Sequence, residues 1–425
     1  MAIRLRGSAP PPAIDSLAPE PIAPSRSKSR FFGALAKHDV FRRLWLASVA
    51  SSIGQWMQSV ALGWLAIEMT NSPAFVGIVT FAAGIPFVIV APLGGSLIDR
   101  FDRRWMMLIC QVLAFIIAVV LAIDVIGGFV QPWHLPVAAF LNGSLLALLS
   151  PTQQSLVPTL VPRSDLTNAI GLMSAGMNMS RVAGPSVAGV VIGAVGVGET
   201  FLIQAAAIAV SFVLVLGIVL PPRPARAAGS QGVFDGIALI ASRPDLRGLF
   251  ILASIPTLLV FPYIGFLNVF ARDILMIGAE GLGLLMAVSG SGAVVGSLLV
   301  ASKGRSDGVG KLLLQMTVAY GLVIVVVAIS RSLWLTLPFI FLGGLLGSAT
   351  MSSNNAVLQH RVTDDVRGRV MGAYMLTWGL MPLGALPMGI VAAQIGTPAA
   401  VAAGAILSSV SAAILGYSSP VLRGL

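Results

Sequence analysis

The chemistry open to this chain is that of binding rather than bond-making. Arg181 lies inside the apolar stretch 166–198, and Asn178, three residues earlier, shares its helical face. A guanidinium among apolar neighbours deep in a membrane helix costs about 2.5–3.5 kcal/mol on insertion scales, so it must face a wet space or a partner. There it can meet an anionic group of a bound molecule, tune a nearby carboxylate, or satisfy backbone carbonyls freed by Pro185. Gln55 and Gln58, also three apart, put two amides on one face of another apolar stretch. Buried amides need partners, so they line a cavity or join helices as hydrogen-bond glue. Asn142, Tyr263, Asn268, Tyr374 and Trp378 are further polar or aromatic positions able to line such a space.

Catalytic groupings are missing from the pattern. One Cys (Cys110) and three scattered His (His38, His134, His360) give neither a disulfide framework nor a metal cage. GVGK at 308–311 looks like part of a phosphate loop, but Arg305 stands where Gly is needed and Leu312 where Ser or Thr is needed. The expectation is a protein with no metal, no cofactor, no ATP site and no enzymatic activity.

The elements that hold these residues follow from composition. Of the 425 residues, 56% are hydrophobic and 10% charged, against about 25% charged in a soluble protein. Mean hydropathy is +0.93. These values exclude a disordered chain, a fibrous repeat and an ordinary soluble enzyme, and point to lipid as the main solvent. A spanning helix needs about 20 mostly apolar residues. Twelve spans are predicted at 42–67, 73–98, 105–127, 134–158, 167–195, 200–220, 247–271, 281–302, 311–330, 333–358, 368–394 and 399–418. The break before the last is Gly396-Thr397-Pro398. Residues 1–36 read as a disordered cytoplasmic tail without a signal peptide.

Orientation follows from the basic residues. With the N-terminus in the cytoplasm, all but three of the 26 Lys and Arg fall in the tail or in cytoplasmic connections; the exceptions are Arg181, Arg272 and Arg331. Both ends are then cytoplasmic, and the pI near 10.8 needs no nucleic acid to explain it. The acids away from the cytoplasm are Glu68, Asp124, Glu199, Asp273 and Glu280, none at mid-span; Asp124 and Glu68 are the best candidates to carry a proton.

The chain also repeats itself. Residues 221–246, beginning PPRPARAAGSQG, form a linker between a first half at 37–220 and a second at 247–425. FRRL at 41–44 echoes LRGL at 246–249. Gly77 and Gly84 match Gly283 and Gly290 at an offset of 206, and Val161 and Gly171 match Val362 and Gly372 at 201. The fold class is therefore all-α, two parallel bundles of six helices, with a shared site near the midplane.

Two segments carry a family resemblance. GSLIDRFDRR at 95–104 resembles the loop signature of the major facilitator superfamily; Gly95, Asp99, Arg100, Arg103 and Arg104 match, and Asp102 replaces a Gly. Asp99 could pair with Arg103 or with the N-terminal end of the eleventh span, closing the cytoplasmic side. GMNMSRVAGPSVAG at 176–189 resembles the antiporter signature of the same superfamily through Gly176, Gly184, Pro185 and Gly189. Helix 1 residues 54–73, with VPRSDLTNAIGL, VRGRVMGAY and GLMPLGALPMG, make the chain similar to the macrolide-efflux and enterobactin-exporter branch, the transmembrane secretion effectors. Many relatives have a carboxylate where Gln55 stands. The resemblance implies a monomeric exporter of a small amphipathic molecule, drug or siderophore, working in a bacterial inner membrane by proton antiport. Uptake or uniport of a metabolite, and a non-transporting receptor or scaffold, are the alternatives at this level.

Overall fold

In the computed structural model the described residues are 32–90, 102–218, 233–303 and 308–424. Their long helices are α1 (Asp39–Thr70), α2 (Pro73–Val90), α3 (Arg103–Ile126), α4 (His134–Leu160), α5 (Leu166–Ala194) and α6 (Val197–Leu216), then α7 (Pro244–Ile274), α8 (Gly278–Lys303), α9 (Val309–Ile329), α10 (Leu333–His360), α11 (Val366–Ile395) and α12 (Thr397–Ser418). Ten are long and apolar enough to cross a membrane. The other two, α1 and α5, hold Gln55, Gln58, Asn178 and Arg181, whose polarity lowers the average. No strand occurs among the described residues.

Local chemistry sets the helix ends. Ser72 accepts from the Phe75 amide at 3.4 Å, and Pro73 opens α2 at the position where a missing N–H costs nothing. Asp102 caps α3, accepting from Arg104 N at 2.9 Å and Trp105 N at 3.1 Å. The residue that departs from the family's Gly thus starts a helix. Gly396, at φ 87°, makes the expected break between α11 and α12.

The tail expectation needs correcting where it meets the fold. Gly33–Lys37 is helical, Ala34 is buried, and its amide donates to Asn168 Oδ1 at 2.9 Å. His38 Nε2 donates to Asp165 Oδ2 at 2.9 Å. The rest of the expected tail, 1–31, lies outside the described residues. Within the stretch expected as linker, Val233–Ser242 forms a helix whose Gly236 packs against the backbone of Arg369.

Within the first half α1 packs on α5 and α6, α3 on α4 and α6, and α2 on α4; within the second, α7 packs on α11 and α12, α8 on α10, and α9 on α10 and α12. Two extensive crossings join the halves, α5 with α8 and α2 with α11, and α7 adds smaller contacts with α1 and α2. The two crossings are repeats of each other. A Cβ on Gly189 would lie 2.7 Å from Gly283 Cα, and one on Gly77 would lie 3.1 Å from Gly389 Cα. Only hydrogen on both glycines lets these backbones approach so closely.

The apolar core shows how the halves sit. Away from the termini, in what is called here the far half, one continuous core draws on both bundles, from Met57, Val60 and Phe201 to Phe266, Leu282 and Ile324. Toward the termini it divides. Phe41, Leu44, Met107, Leu156 and Val215 form one core in the first bundle; Leu246, Leu249, Leu313, Leu358 and Val370 form another in the second. The molecule is a V, joined at the far end and split toward the termini. The pseudo-equivalent helices α4 and α10 accordingly share no extended contact.

Candidate functional site

The split begins near the middle of α5, at Arg181. Helix α5 gets there by presenting small residues to its neighbours. Gly176 lies against Trp45 and Val49, Ser180 Oγ donates to Val49 O at 3.3 Å, and Gly184 lies against Ile53 and Trp56, all on α1. Val182, Pro185 and Gly189 face α8 instead. Arg181 falls between these two faces and points to the cleft. Its Cζ lies 5.8 Å from the centroid of the Trp56 ring. Such a contact recovers about 0.5–2 kcal/mol, less than the insertion cost of an Arg. No hydrogen bond or ion pair engages the guanidinium among the described residues. Water or a bound group has to supply the remainder.

The second half comes near it where the joined core ends. Tyr263 of α7 and Tyr320 of α9, both buried in that core, are within electrostatic reach of Arg181. Tyr263 Oη lies 3.5 Å from Ser289 Oγ of α8. The Tyr320 ring has room because Gly347 of α10 lacks a side chain; a Cβ there would lie 3.1 Å from the ring. Gln55 is half-buried near Trp56, and its amide has no partner among the described residues. Trp56, Tyr320 and Ser289 were not in the expected cavity set. The one sequence signal for them is polarity or aromaticity at mid-span.

Other expected cavity residues lie elsewhere. Gln58 is buried inside the first bundle, where its Oε1 accepts from Gln204 Nε2 of α6 at 3.0 Å. Beside it, Gln111 Nε2 donates to Ser211 Oγ at 2.7 Å and Ser211 donates to Ala47 O at 2.8 Å, tying α3, α6 and α1. These amides are glue, not lining, because α6 covers that face of α1. Asn268 packs on Gly63 at the far end, with Nδ2 donating to Gly265 O at 2.9 Å. Tyr374 is buried in the core of the second bundle near the termini, walled off by Leu249 and Val370. Asn142 and Asn178 are half-buried and donate to their own helices at Ala138 O and Ser174 O, at 3.1 Å and 3.0 Å. The side chain of Trp378 lies outside the described residues.

The candidate proton carriers sit at the far end. Glu68 is exposed in the last turn of α1. Asp124 is hydrogen-bonded by His134, at the joint of α3 and α4. Of the loop signature, Gly95, Asp99 and Arg100 lie outside the described residues. Arg103 donates to Ser155 O at 3.0 Å and Arg104 to Leu216 O at 2.6 Å, both inside the first bundle. At the far end Arg272 of α7 donates to Ile67 O at 2.5 Å and to Asn71 Oδ1, so a residue of the second half caps the C-terminus of α1. A shallow recess of about 410 Å³ lies between α9 and α12, lined by Lys311, Leu314 and Arg423.

Two six-helix bundles hinged at one end over a polar cleft have the architecture of a secondary transporter, not of an enzyme. The comparisons name the family. Residues 32–423 match the model of the transmembrane secretion effectors, a branch of the major facilitator superfamily, and the chain belongs to that family. It is 23% identical to the staphyloferrin A transporter of Staphylococcus aureus, over 80% of this chain and 86% of that one. It is 26% identical to the multidrug efflux pump Tap of Mycolicibacterium fortuitum, over 88% and 91%, and 23% identical to macrolide efflux protein A of Streptococcus pyogenes, over 83% and 87%. Among solved structures, the nucleoside transporter NupG shares the fold with a TM-score of 0.70 at 15% identity, covering 89% of this chain and 98% of that one. A bacterial homologue of the human lysosomal transporter Spinster does so at 0.71 and 16%, covering 91% and 97%. The protein is a multi-pass bacterial membrane transporter.

Proposed function

We propose that the protein exports a small amphipathic molecule across the bacterial inner membrane by alternating access, with both termini in the cytoplasm. The observation that carries this reading is the single core at the far end against two separate cores toward the termini. With the termini inside, the cleft receives cargo from the cytoplasm or the inner leaflet. Rocking about the α5–α8 and α2–α11 crossings would then close that side and release cargo outside. The efflux relatives favour the outward direction, and the half-buried Trp56 offers apolar surface beside Arg181 for an amphipathic body. Proton antiport through Asp124 or Glu68 is the weaker form of this reading, since both stand at the far ends of their helices rather than in the cleft.

The test is dye and macrolide accumulation in cells expressing the protein, an Arg181→Gln variant, or neither. Lower accumulation of at least one compound with the wild type alone is expected. Unchanged accumulation of every compound, or higher accumulation, would overturn export.

A further inference from the structure

Among the described residues Arg181 is the one formal charge at mid-span, and no carboxylate or imidazole accompanies it. The described acids lie in the end turns of helices or beside them. Those nearest the membrane interior, Glu68, Asp124, Glu199, Asp273 and Glu280, fall in the terminal turns of their helices at the far end. The three His are at helix ends as well: His38 before α1, His134 opening α4 and His360 closing α10. Arg181 lies over the Trp56 ring, and two buried phenols, Tyr263 and Tyr320, stand within electrostatic reach, all neutral. It is a cation whose counterion belongs to no part of the described protein. The second role conceivable for it, tuning a coupling carboxylate, finds no carboxylate to act on among the described residues.

Resting on the transporter reading above, we propose that the cargo is an amphipathic organic anion and that the membrane potential itself drives it out. The anionic head would sit against Arg181, and the Trp56 ring beside it would hold part of the apolar body. With no carboxylate or imidazole beside Arg181 among the described residues to exchange a proton for cargo, the charge moved per cycle is the charge of the cargo. The loaded site is neutral, so its reorientation is indifferent to voltage. The empty carrier bears the Arg181 charge, and an interior-negative potential draws it back to the inward-facing state. At about 100 mV, one charge corresponds to a roughly fifty-fold outward gradient.

The experiment uses the full-length protein in proteoliposomes loaded with one of three matched probes: dansyl-taurine, a permanent sulfonate; dansylamide, neutral; and dansylaminoethyl-trimethylammonium, a permanent cation. Valinomycin with a potassium gradient sets the potential at equal pH. In separate vesicles a pH gradient is imposed with the potential clamped at zero. Interior-negative potential is expected to speed release of the sulfonate at least five-fold over protein-free vesicles, with no response to the pH gradient and none from the ammonium. Arg181→Gln should lose this release, and Arg181→Lys should retain it. Release of the ammonium, release that follows the pH gradient, wild-type rates in Arg181→Gln, or no probe moved by folded wild type would each overturn the proposal. The export reading fails separately, if intact cells expressing the protein accumulate more dansyl-taurine than controls.

Discussion

At the residue scale, the polar side chains of the first bundle divide by whether another helix covers them. Gln204 donates one hydrogen bond to Gln58 in a dry interior, whereas Gln55, three residues away, is left half-buried without a partner among the described residues. Gln204→Leu strands the Gln58 carbonyl and should cost about 1–2 kcal/mol. Adding Gln58→Leu should cost less than the sum of the two single changes, because the stranded group goes too. Denaturant unfolding of the purified protein measures both, and strict additivity would refute the pairing. A second residue-scale expectation concerns pH. The hydrogen bond from His38 holds the Asp165 carboxyl below the usual carboxylate range. A carboxylate whose folded value is depressed stabilises fully above its unfolded value and loses that contribution as pH falls through the folded one. The stability difference between wild type and Asp165→Asn should therefore be flat from neutrality down to the ordinary carboxylate range and vanish below it. A thermal melt series from pH 7 to pH 3 checks this, and a difference that grows with acidity contradicts it.

At the element scale, the glycines of the signature at 176–189 divide their labour. Gly176 and Gly184 seat α5 on α1 within one bundle, while Gly189 seats it on α8 of the other. A methyl at Gly189 would meet Ala279 O at 2.6 Å, and one at Gly77 would meet Ala385 O at 2.8 Å. Neither backbone can yield without moving a helix, so Gly189→Ala and Gly77→Ala should both part the far ends. Cys110 is buried, which leaves a quiet background for thiol labelling. In either variant a cysteine placed at Asn268, itself 2% exposed, should label several-fold faster than in the otherwise unchanged protein. Equal labelling rates would mean that these crossings do not hold the far end shut. The signature was legible in sequence because small residues at helical spacing have one physical use, close approach. Which neighbour each glycine meets was not, since Gly189 stands five residues past Gly184, a turn of about 140° around the helix, and local spacing does not say which helix lies there.

At the scale of the whole molecule, the far end is held by few polar links. Arg272 crosses between the halves by capping α1 at Ile67 and Asn71. Charge-assisted hydrogen bonds contribute about 1.5–3 kcal/mol when sheltered; at this partly exposed rim about 1 kcal/mol is reasonable, roughly a five-fold shift in population. Arg272→Ala should thus favour the far-open state. Spin labels at Thr70→Cys and Met276→Cys, with Cys110→Ser, would report a new long-distance component. An unchanged distance distribution would show that the apolar core alone closes that end.

What the sequence determined by itself was the succession of spans, the duplicated plan and the isolation of Arg181. Each rests on short-range physics: hydropathy over about twenty residues, glycine spacing along one helix, and the cost of a charge in oil. Tertiary structure alone decided which face of each span meets protein and which meets the cleft. Gln58, Asn268 and Tyr374 share their residue types with true lining positions, but α6, Gly63 and the core around Leu249 cover them. Conversely, Tyr263 and Tyr320 come from two helices of the second half, and only the rotation of that bundle against the first brings their buried phenols within electrostatic reach of Arg181. That rotation is fixed by contacts between residues about a hundred or more positions apart, which no local pattern encodes.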